Sequence, residues 1–487
     1  MRWPTLGRIS VGDLGSRNPL DKNGLFAHQS SVRLASSRSE ASSQHRHIAD
    51  IAEIYRALHI DKFVGGFAMK KCIVLMMPVA ALVGIGTAWA QSSIVVFAVV
   101  DNSVSTYRNQ ANGPFGTSLT TSQTVLTNSA LSSSRFGFRG REDLGGGLGA
   151  SLWLEAGFNS DDGSGVGSNG LIAFNRRSTV SIDDGDWGEL RLGRDYTPTY
   201  WNDNLFDPFG VNGVGTSLIS TASGQTSPGS FRSGWTNGQY SRANNSIGYH
   251  LPALGGFYGQ AMYAFNEKVT YDPGGTTPPG VAAIAANPAL AATPDNARAG
   301  RYVGARGGYK SGPVDVALSY GESTVGSNYY VGSTATIKIW NVAGSYNFGV
   351  VKLFGEYSNN KMETSLATNT FNPLGVTKPE FDGFLIGVTA PIGTGDLRAS
   401  YSAVRYKNIN LNTFGFNPDP KADKFAIGYV YNFSKRTAVY ATVAYLSNKD
   451  GAGLTVGGPS YYTQPVAGVA PVPDKSYGYD LGMRVSF

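Results

Sequence analysis

The chain ends on a strict alternation. Tyr477, Tyr479, Leu481, Met483, Val485 and Phe487 are separated by Gly478, Asp480, Gly482, Arg484 and Ser486. A period of two puts the large apolar side chains on one face of a strand and the small, polar or charged ones on the other. The pattern runs to Phe487, where an unpartnered chain end frays, so this strand is expected to be paired. The alternation recurs upstream. Phe425, Ile427, Tyr429, Tyr431 and Phe433 face away from Lys424, Ala426, Gly428 and Asn432; Trp340, Val342, Tyr346 and Phe348 from Asn341, Ala343, Ser345 and Asn347; Leu397, Ala399, Tyr401 and Ala403 from Arg398, Ser400 and Ser402. Two architectures accept such strands. One is a soluble sandwich. The other is a closed membrane barrel, with the apolar face toward lipid and the polar face toward a lumen. The first strand, Ile94–Val100, is uniformly apolar and its faces cannot be assigned by alternation.

Turn signals divide the strands in a regular way. Short Gly-, Pro- and Asn-rich connections fall at 143–147, 184–188, 252–256, 311–313, 347–349, 391–395 and 432–435. Longer polar stretches fall near 108–132, 159–173, 197–243, 267–300, 322–335, 359–380, 407–421 and 447–475. Alternating short and long connections are the mark of an up-and-down barrel, with tight turns at one rim and long loops at the other. These connections predict an antiparallel transmembrane β-barrel of about sixteen strands. No repeat of constant length points to a solenoid.

Composition favours the membrane alternative. Only 15% of residues are charged, 12% are aromatic, and the mean hydropathy is −0.15. A water-exposed globular surface usually carries more charge. A barrel averages hydropathy near zero and places Tyr and Phe in interfacial girdles. Residues 69–90 begin Met69-Lys-Lys, continue through an apolar core and close on Ala88-Trp89-Ala90, the form of a secretory signal with its cleavage site. A membrane anchor is the alternative, weakened by Pro78 and by the polar Gln91-Ser92-Ser93. Residues 1–68 precede the signal. They are expected to be either a wrongly assigned start, with translation beginning at Met69, or a disordered extension. The barrel is expected over 91–487. Residues 1–90 hold 11 Lys+Arg and 6 Asp+Glu, which leaves 29 and 28 after them, a balance of +1. The sequence pI of 9.1 therefore gives no nucleic-acid footprint. The single cysteine, Cys72, lies within the signal.

Several stretches carry a resemblance. Ser133-Ser-Arg-Phe-Gly-Phe-Arg-Gly-Arg-Glu-Asp-Leu-Gly-Gly-Gly-Leu-Gly-Ala-Ser-Leu-Trp-Leu-Glu155 resembles the signature hairpin of Gram-negative trimeric porins of the β-proteobacterial type. Phe174-Asn-Arg-Arg-Ser-Thr-Val-Ser with Gly188-Glu-Leu-Arg-Leu-Gly-Arg-Asp-Tyr-Thr-Pro198 resembles the next hairpin. Arg242-Ala-Asn-Asn-Ser-Ile-Gly-Tyr, Ser434-Lys-Arg-Thr-Ala-Val-Tyr440 and Gly482-Met-Arg-Val-Ser-Phe487 follow in the family's order, with Ser486 where the family usually has His. The similarity covers about 91–487. It implies a sixteen-stranded homotrimeric channel in the outer membrane for small hydrophilic solutes and ions. It also implies a third extracellular loop that folds inward to narrow the pore.

A narrow pore needs fixed charge where low-dielectric walls strengthen its field. The candidates are Arg135, Arg139, Arg176, Arg177, Arg191, Arg194 and Arg242, with Asp203 and Asp207 of the third loop. Strand parity favours Arg135, Arg139 and Arg191. Arg176 and Arg177 are adjacent, so a regular strand turns only one inward: parity with Val180 and Ile182 favours Arg177, similarity to the family's basic wall favours Arg176, and a bulge would reconcile them. The third loop, about Pro198 to Ala243, opens with Asp203 and Asp207 and has no Asp or Glu from Phe209 onward, while it carries Arg232 and Arg242. An acid-poor loop facing arginines predicts a positive constriction that favours inorganic anions. Phe487 is expected to act as an assembly signal.

Enzymatic readings find little support. His250 is the one histidine after residue 90 and sits before Pro252 at a turn. A serine–histidine pair near the membrane surface is not provided. Gly145-Gly-Gly147 lacks the Gly-Lys-Ser/Thr of a phosphate loop, and metal-ligand spacings and cofactor motifs are missing from the sequence. The competing class is a structural or adhesive barrel with a plugged lumen. Small residues at polar-face positions, such as Ser345, Ser400 and Gly428, favour an open channel.

Overall fold

The structure, a computed structural model, describes residues 93–223, 237–268, 298–328, 333–366, 378–408 and 419–487. Residues 1–68, the signal-like 69–90 and Arg232 lie outside them. Among the described residues, seventeen strands form one antiparallel sheet: β1 (Ser93–Asn112), β2 (Ser118–Asn128), β3 (Arg135–Gly145), β4 (Leu148–Gly157), β5 (Arg177–Asp184), β6 (Gly188–Tyr196), β7 (Arg242–His250), β8 (Phe257–Ala264), β9 (Tyr302–Ser311), β10 (Val314–Asn328), β11 (Ser333–Asn347), β12 (Lys352–Leu366), β13 (Glu380–Ile392), β14 (Gly395–Lys407), β15 (Lys421–Asn432), β16 (Thr437–Lys449) and β17 (Val472–Ser486). Two short helices, α1 (Pro198–Leu205) and α2 (Leu218–Ser223), lie between β6 and β7.

The sheet closes on itself. β17 pairs with β1 from Val99↔Ser486 to Asn112↔Val472, and Phe487 and Ala98 exchange backbone hydrogen bonds just beyond that register. The other edge of β1 is shared. Its first part pairs with β3, from Ser93↔Arg141 to Val99↔Arg135, and its second part pairs with β2, from Asn102↔Asn128 to Asn112↔Ser118. β2 and β3 are therefore two pieces of one barrel position, interrupted at 129–134. The seventeen strands fill sixteen positions, the count expected from the turns. Asp101 organises the interruption, accepting hydrogen bonds from the backbone N–H groups of Leu131 (2.8 Å) and Ser132 (2.5 Å).

The polar stretch near 108–132 is mostly strand, not loop. Its Ser/Thr residues suit extended backbone, and strand beyond the hydrocarbon band has no need of an apolar outer face. For the same reason β10 and β11 run to Asn328 and from Ser333, where a longer loop was expected, and the first strand reaches Asn112. The faces follow the alternation: Leu481 is 66% exposed and its neighbour Asp480 is 3% exposed. Among the described residues no helix is long and apolar enough to cross a membrane, so crossing falls to the strands.

Part of the lumen is packed. Phe209, Val214, Leu218 and Ala222, from the segment between β6 and β7, meet Val404, Ala422, Ala426, Ala444 and Leu446 of the inner wall. Ala452, Leu454 and Val456, from the connection after β16, join the same cluster. On this arc several inward positions carry Ala or Val, which leaves room for the loops to bury apolar surface.

Candidate pore constriction

Inward parity gathers charged side chains on β3 to β6. Glu155 stands opposite Arg177 across β4 and β5, and Arg139 opposite Trp153 across β3 and β4. Arg177 lies 4.3 Å from the centre of the Trp153 ring and 3.8 Å from Asp195. Arg176 precedes β5, so strand alternation does not bind it. Its Nε lies 2.5 Å from Glu155 Oε1, and it donates to Tyr196 Oη at 2.8 Å. Both adjacent arginines line the same cavity, and both face Glu155 across the strand pair: its carbonyl accepts the Arg176 N–H at 3.1 Å while it pairs in register with Arg177. Arg135 pairs with Glu155 from the other side at 3.6 Å and donates to the Ser133 carbonyl at 2.8 Å. Arg242 donates to Tyr196 Oη at 2.8 Å and stacks 4.3 Å above that ring. Arg191 is held between Glu189 (2.7 Å) and Asp195 (2.5 Å).

Arg194 is a different case. The register shifts between Gly193 and Asp195, and Gly193 has φ +124° with no room for a Cβ, which would lie 2.1 Å from the Ser178 carbonyl oxygen. The extra residue of this bulge lies on β7, where Ser246 to Ala243 takes three steps against the two from Gly193 to Asp195, so Asp195 keeps the inward parity of Arg191. Arg194 engages the Asn175 carbonyl and Asn244; like Arg242, it lines neither of the cavities described below.

The segment between β6 and β7 crosses the lumen and is tied to the wall at several points. α1 begins at Pro198, the first-turn position where a missing N–H costs nothing. Asp203, expected at the constriction, is instead fully buried behind α1; it accepts hydrogen bonds from Asn341 Nδ2 at 2.8 Å and from the Tyr240 hydroxyl. Asp207 touches the cavity, but its oxygens accept from the N–H groups of Phe209 (2.9 Å) and Ser217 (3.0 Å). Burial raises both carboxyls above their usual range, and it pushes the Tyr200 hydroxyl up to about 12. These aspartates were expected to supply charge to the pore; desolvation makes them anchors of the loop. Further ties run from Asp480 to the Val214 N–H (2.9 Å), from Lys424 Nζ to the Thr216 carbonyl (2.5 Å), from Ser402 Oγ to the Leu218 N–H (3.0 Å), and from Arg306 to Asn202.

Between this loop and the arginine wall lies a cavity of about 620 Å³. Arg135, Arg176 and Arg177 line one side, with Glu155 among them, and Arg398 and Asp396 of β14 line the other. Trp153 and Arg177 also border a second cavity of about 310 Å³ with Arg139, Arg141, Arg191 and Glu189. Sequence reasoning passed over Glu155, Trp153, Tyr196, Arg306 and Arg398. For Arg398 the signal was present, because it alternates with Leu397 and Ala399 on the polar face.

Comparison with known proteins agrees with this architecture. The Gram-negative porin family profile matches residues 79–451. Outer membrane porin protein 32 of Delftia acidovorans is 34% identical over 426 residues, covering 86% of this chain and all of the relative. An outer membrane porin protein of Bordetella pertussis is 31% identical, over 78% of this chain and 95% of its own length. Among solved structures, the anion-selective porin from Comamonas acidovorans superposes with a TM-score of 0.60 at 31% identity, over 82% of this chain and 100% of that one. The chain belongs to the Gram-negative porin family: it is an outer-membrane β-barrel channel for passive diffusion, not an enzyme.

Proposed function

We propose that the channel is anion-selective and that Arg135, Arg139, Arg176, Arg177, Arg191 and Arg242 form its charged constriction. The carrying observation is the imbalance along the cavity wall. Arginines outnumber the carboxylates beside them, and the carboxylates, Glu155, Glu189 and Asp195, are each held by one or two guanidiniums. The loop opposite has no acid after Asp207. A permeating chloride therefore meets uncompensated positive charge at short range, where screening is weak. The solved relative described as anion-selective supports the same reading. The test is the zero-current potential across a bilayer in a salt gradient. Chloride preference is expected, and replacing Arg135 and Arg242 together by Ser should shift it toward potassium. Wild-type preference for potassium would refute the charge assignment.

We further propose a homotrimer and processing after Ala90. Exposed apolar side chains on the outer face of the first strands, Ile94 and Val96 among them, support a face covered by lipid or by a second copy. A ladder of crosslinked species in unheated detergent extracts tests the trimer. An N-terminus of Gln91 in outer-membrane material tests the processing, and peptides from 1–68 recovered there would overturn it.

A further inference from the structure

One side of α1 faces away from the barrel wall, with Asn204 there donating to the Gly210 carbonyl at 2.9 Å. Tyr200, Asn202 and Asp203 are buried toward the barrel wall. Trp201, Asn204 and Leu205, spaced i, i+3 and i+4, share the opposite face and remain accessible. Trp201 and Asn204 border the large cavity. An indole here adds to the aromatic lining that Trp153 and Tyr196 already give the cavity. Tyr196 supports Trp201 from one side, with ring centres 5.1 Å apart at 53°. Tyr196 in turn accepts hydrogen bonds from Arg176 and Arg242. The indole is thus fixed beside guanidiniums, at the water boundary.

Two guanidiniums that line the same cavity have donors to spare. Arg135 gives one hydrogen bond to the Ser133 carbonyl and meets Glu155 only at 3.6 Å, although a guanidinium carries five N–H donors. Across the cavity, Arg398 Nη1 donates to the Pro208 carbonyl at 3.3 Å, and its buried Nε has no partner. A ligand that uses all of this has a flat apolar ring for Trp201 and a carboxylate for an arginine fork.

We infer that the Trp201 face of α1 and the arginines around it form a subsite for aromatic carboxylates, which the channel holds more tightly than aliphatic carboxylates of the same charge. This inference rests on the anion-selective reading and names a solute class for it. The ring covers the indole while the carboxylate takes donors from Arg135 or Arg398. A carboxylate without a ring reaches only the second of these.

The test uses channels purified from outer membranes, in bilayers bathed in potassium chloride, with potassium benzoate or potassium acetate added. The readout is the ratio of half-blocking concentrations, acetate over benzoate, taken within each protein. The wild-type ratio is expected near tenfold, about 1.4 kcal/mol, and Trp201→Ala should bring it close to unity. Trp201→Leu keeps bulk and apolarity without a π face and should also lose most of the preference; it serves as well where the alanine variant assembles poorly. A wild-type ratio near unity overturns the inference, as does a full ratio in either variant. The zero-current potential of the same channels separates the two levels: chloride preference with a ratio of unity removes the subsite alone, and potassium preference removes the reading beneath it.

Discussion

Asp203 is a fully buried carboxyl. Its hydrogen bonds come from Tyr240 and Asn341, and its nearest acidic neighbour is Glu356. Burial raises it above the usual 3.8, so the folded protein keeps a proton that the unfolded chain releases first. The stability it contributes is therefore complete below 3.8 and is lost as pH rises through the folded value. Asp203→Asn removes the ionisation and keeps the size. Its thermal midpoint relative to wild type should rise as pH increases above 3.8; a pH-independent difference would falsify the assignment. Gly193 makes a second residue-scale prediction. A side chain there needs φ +124° and collides with Ser178, so Gly193→Ala should force β6 away from β5 and loosen Asp195 from Arg191 and Arg177. The freed guanidiniums should increase chloride preference in the salt-gradient measurement, and an unchanged potential would contradict the role given to Gly193.

At the scale of elements, the seam and the inner loop make different predictions. Phe487 closes the barrel through its backbone, while its side chain is 70% exposed on the outer face. Phe487→Ala should therefore lower outer-membrane yield and leave the conductance of assembled channels unchanged; normal yield with altered conductance would contradict this. Leu218 of α2 is fully buried in the lumenal cluster. Leu218→Ala should cost about 2–5 kcal/mol of the packing that holds the loop, visible as increased current noise. Much of the element plan was legible: alternation gave the faces of β11, β14, β15 and β17, and turn spacing gave sixteen positions. The Ser118–Asn128 strand was not legible, because polar strand outside the bilayer lacks an apolar face to betray it. Arg176 escaped parity because it lies just outside β5. Nor did local sequence show that Asp203 would be buried, since the wall opposite it comes from β11 and β12, more than a hundred residues away.

At the scale of the whole molecule, field and framework share the same parts. Selectivity from fixed charge should weaken as salt shortens the screening length from about 10 Å at 0.1 M to about 3 Å at 1 M. The zero-current potential, measured at a constant concentration ratio, should shrink accordingly, and a salt-independent value would point to pore size instead of charge. The loop between β6 and β7 has a mechanical consequence as well. It is tied to β9, β11, β14, β15 and β17, far around the ring from the strands that carry it. A hydrogen-bonded ring resists stretching along its circumference but flattens readily into an ellipse. A chord fixed to distant arcs opposes that flattening, as a spoke keeps a rim round. The aperture beside the arginines is thereby held against lateral pressure, its width set by bonds inside the barrel and not by the squeeze of the surrounding bilayer.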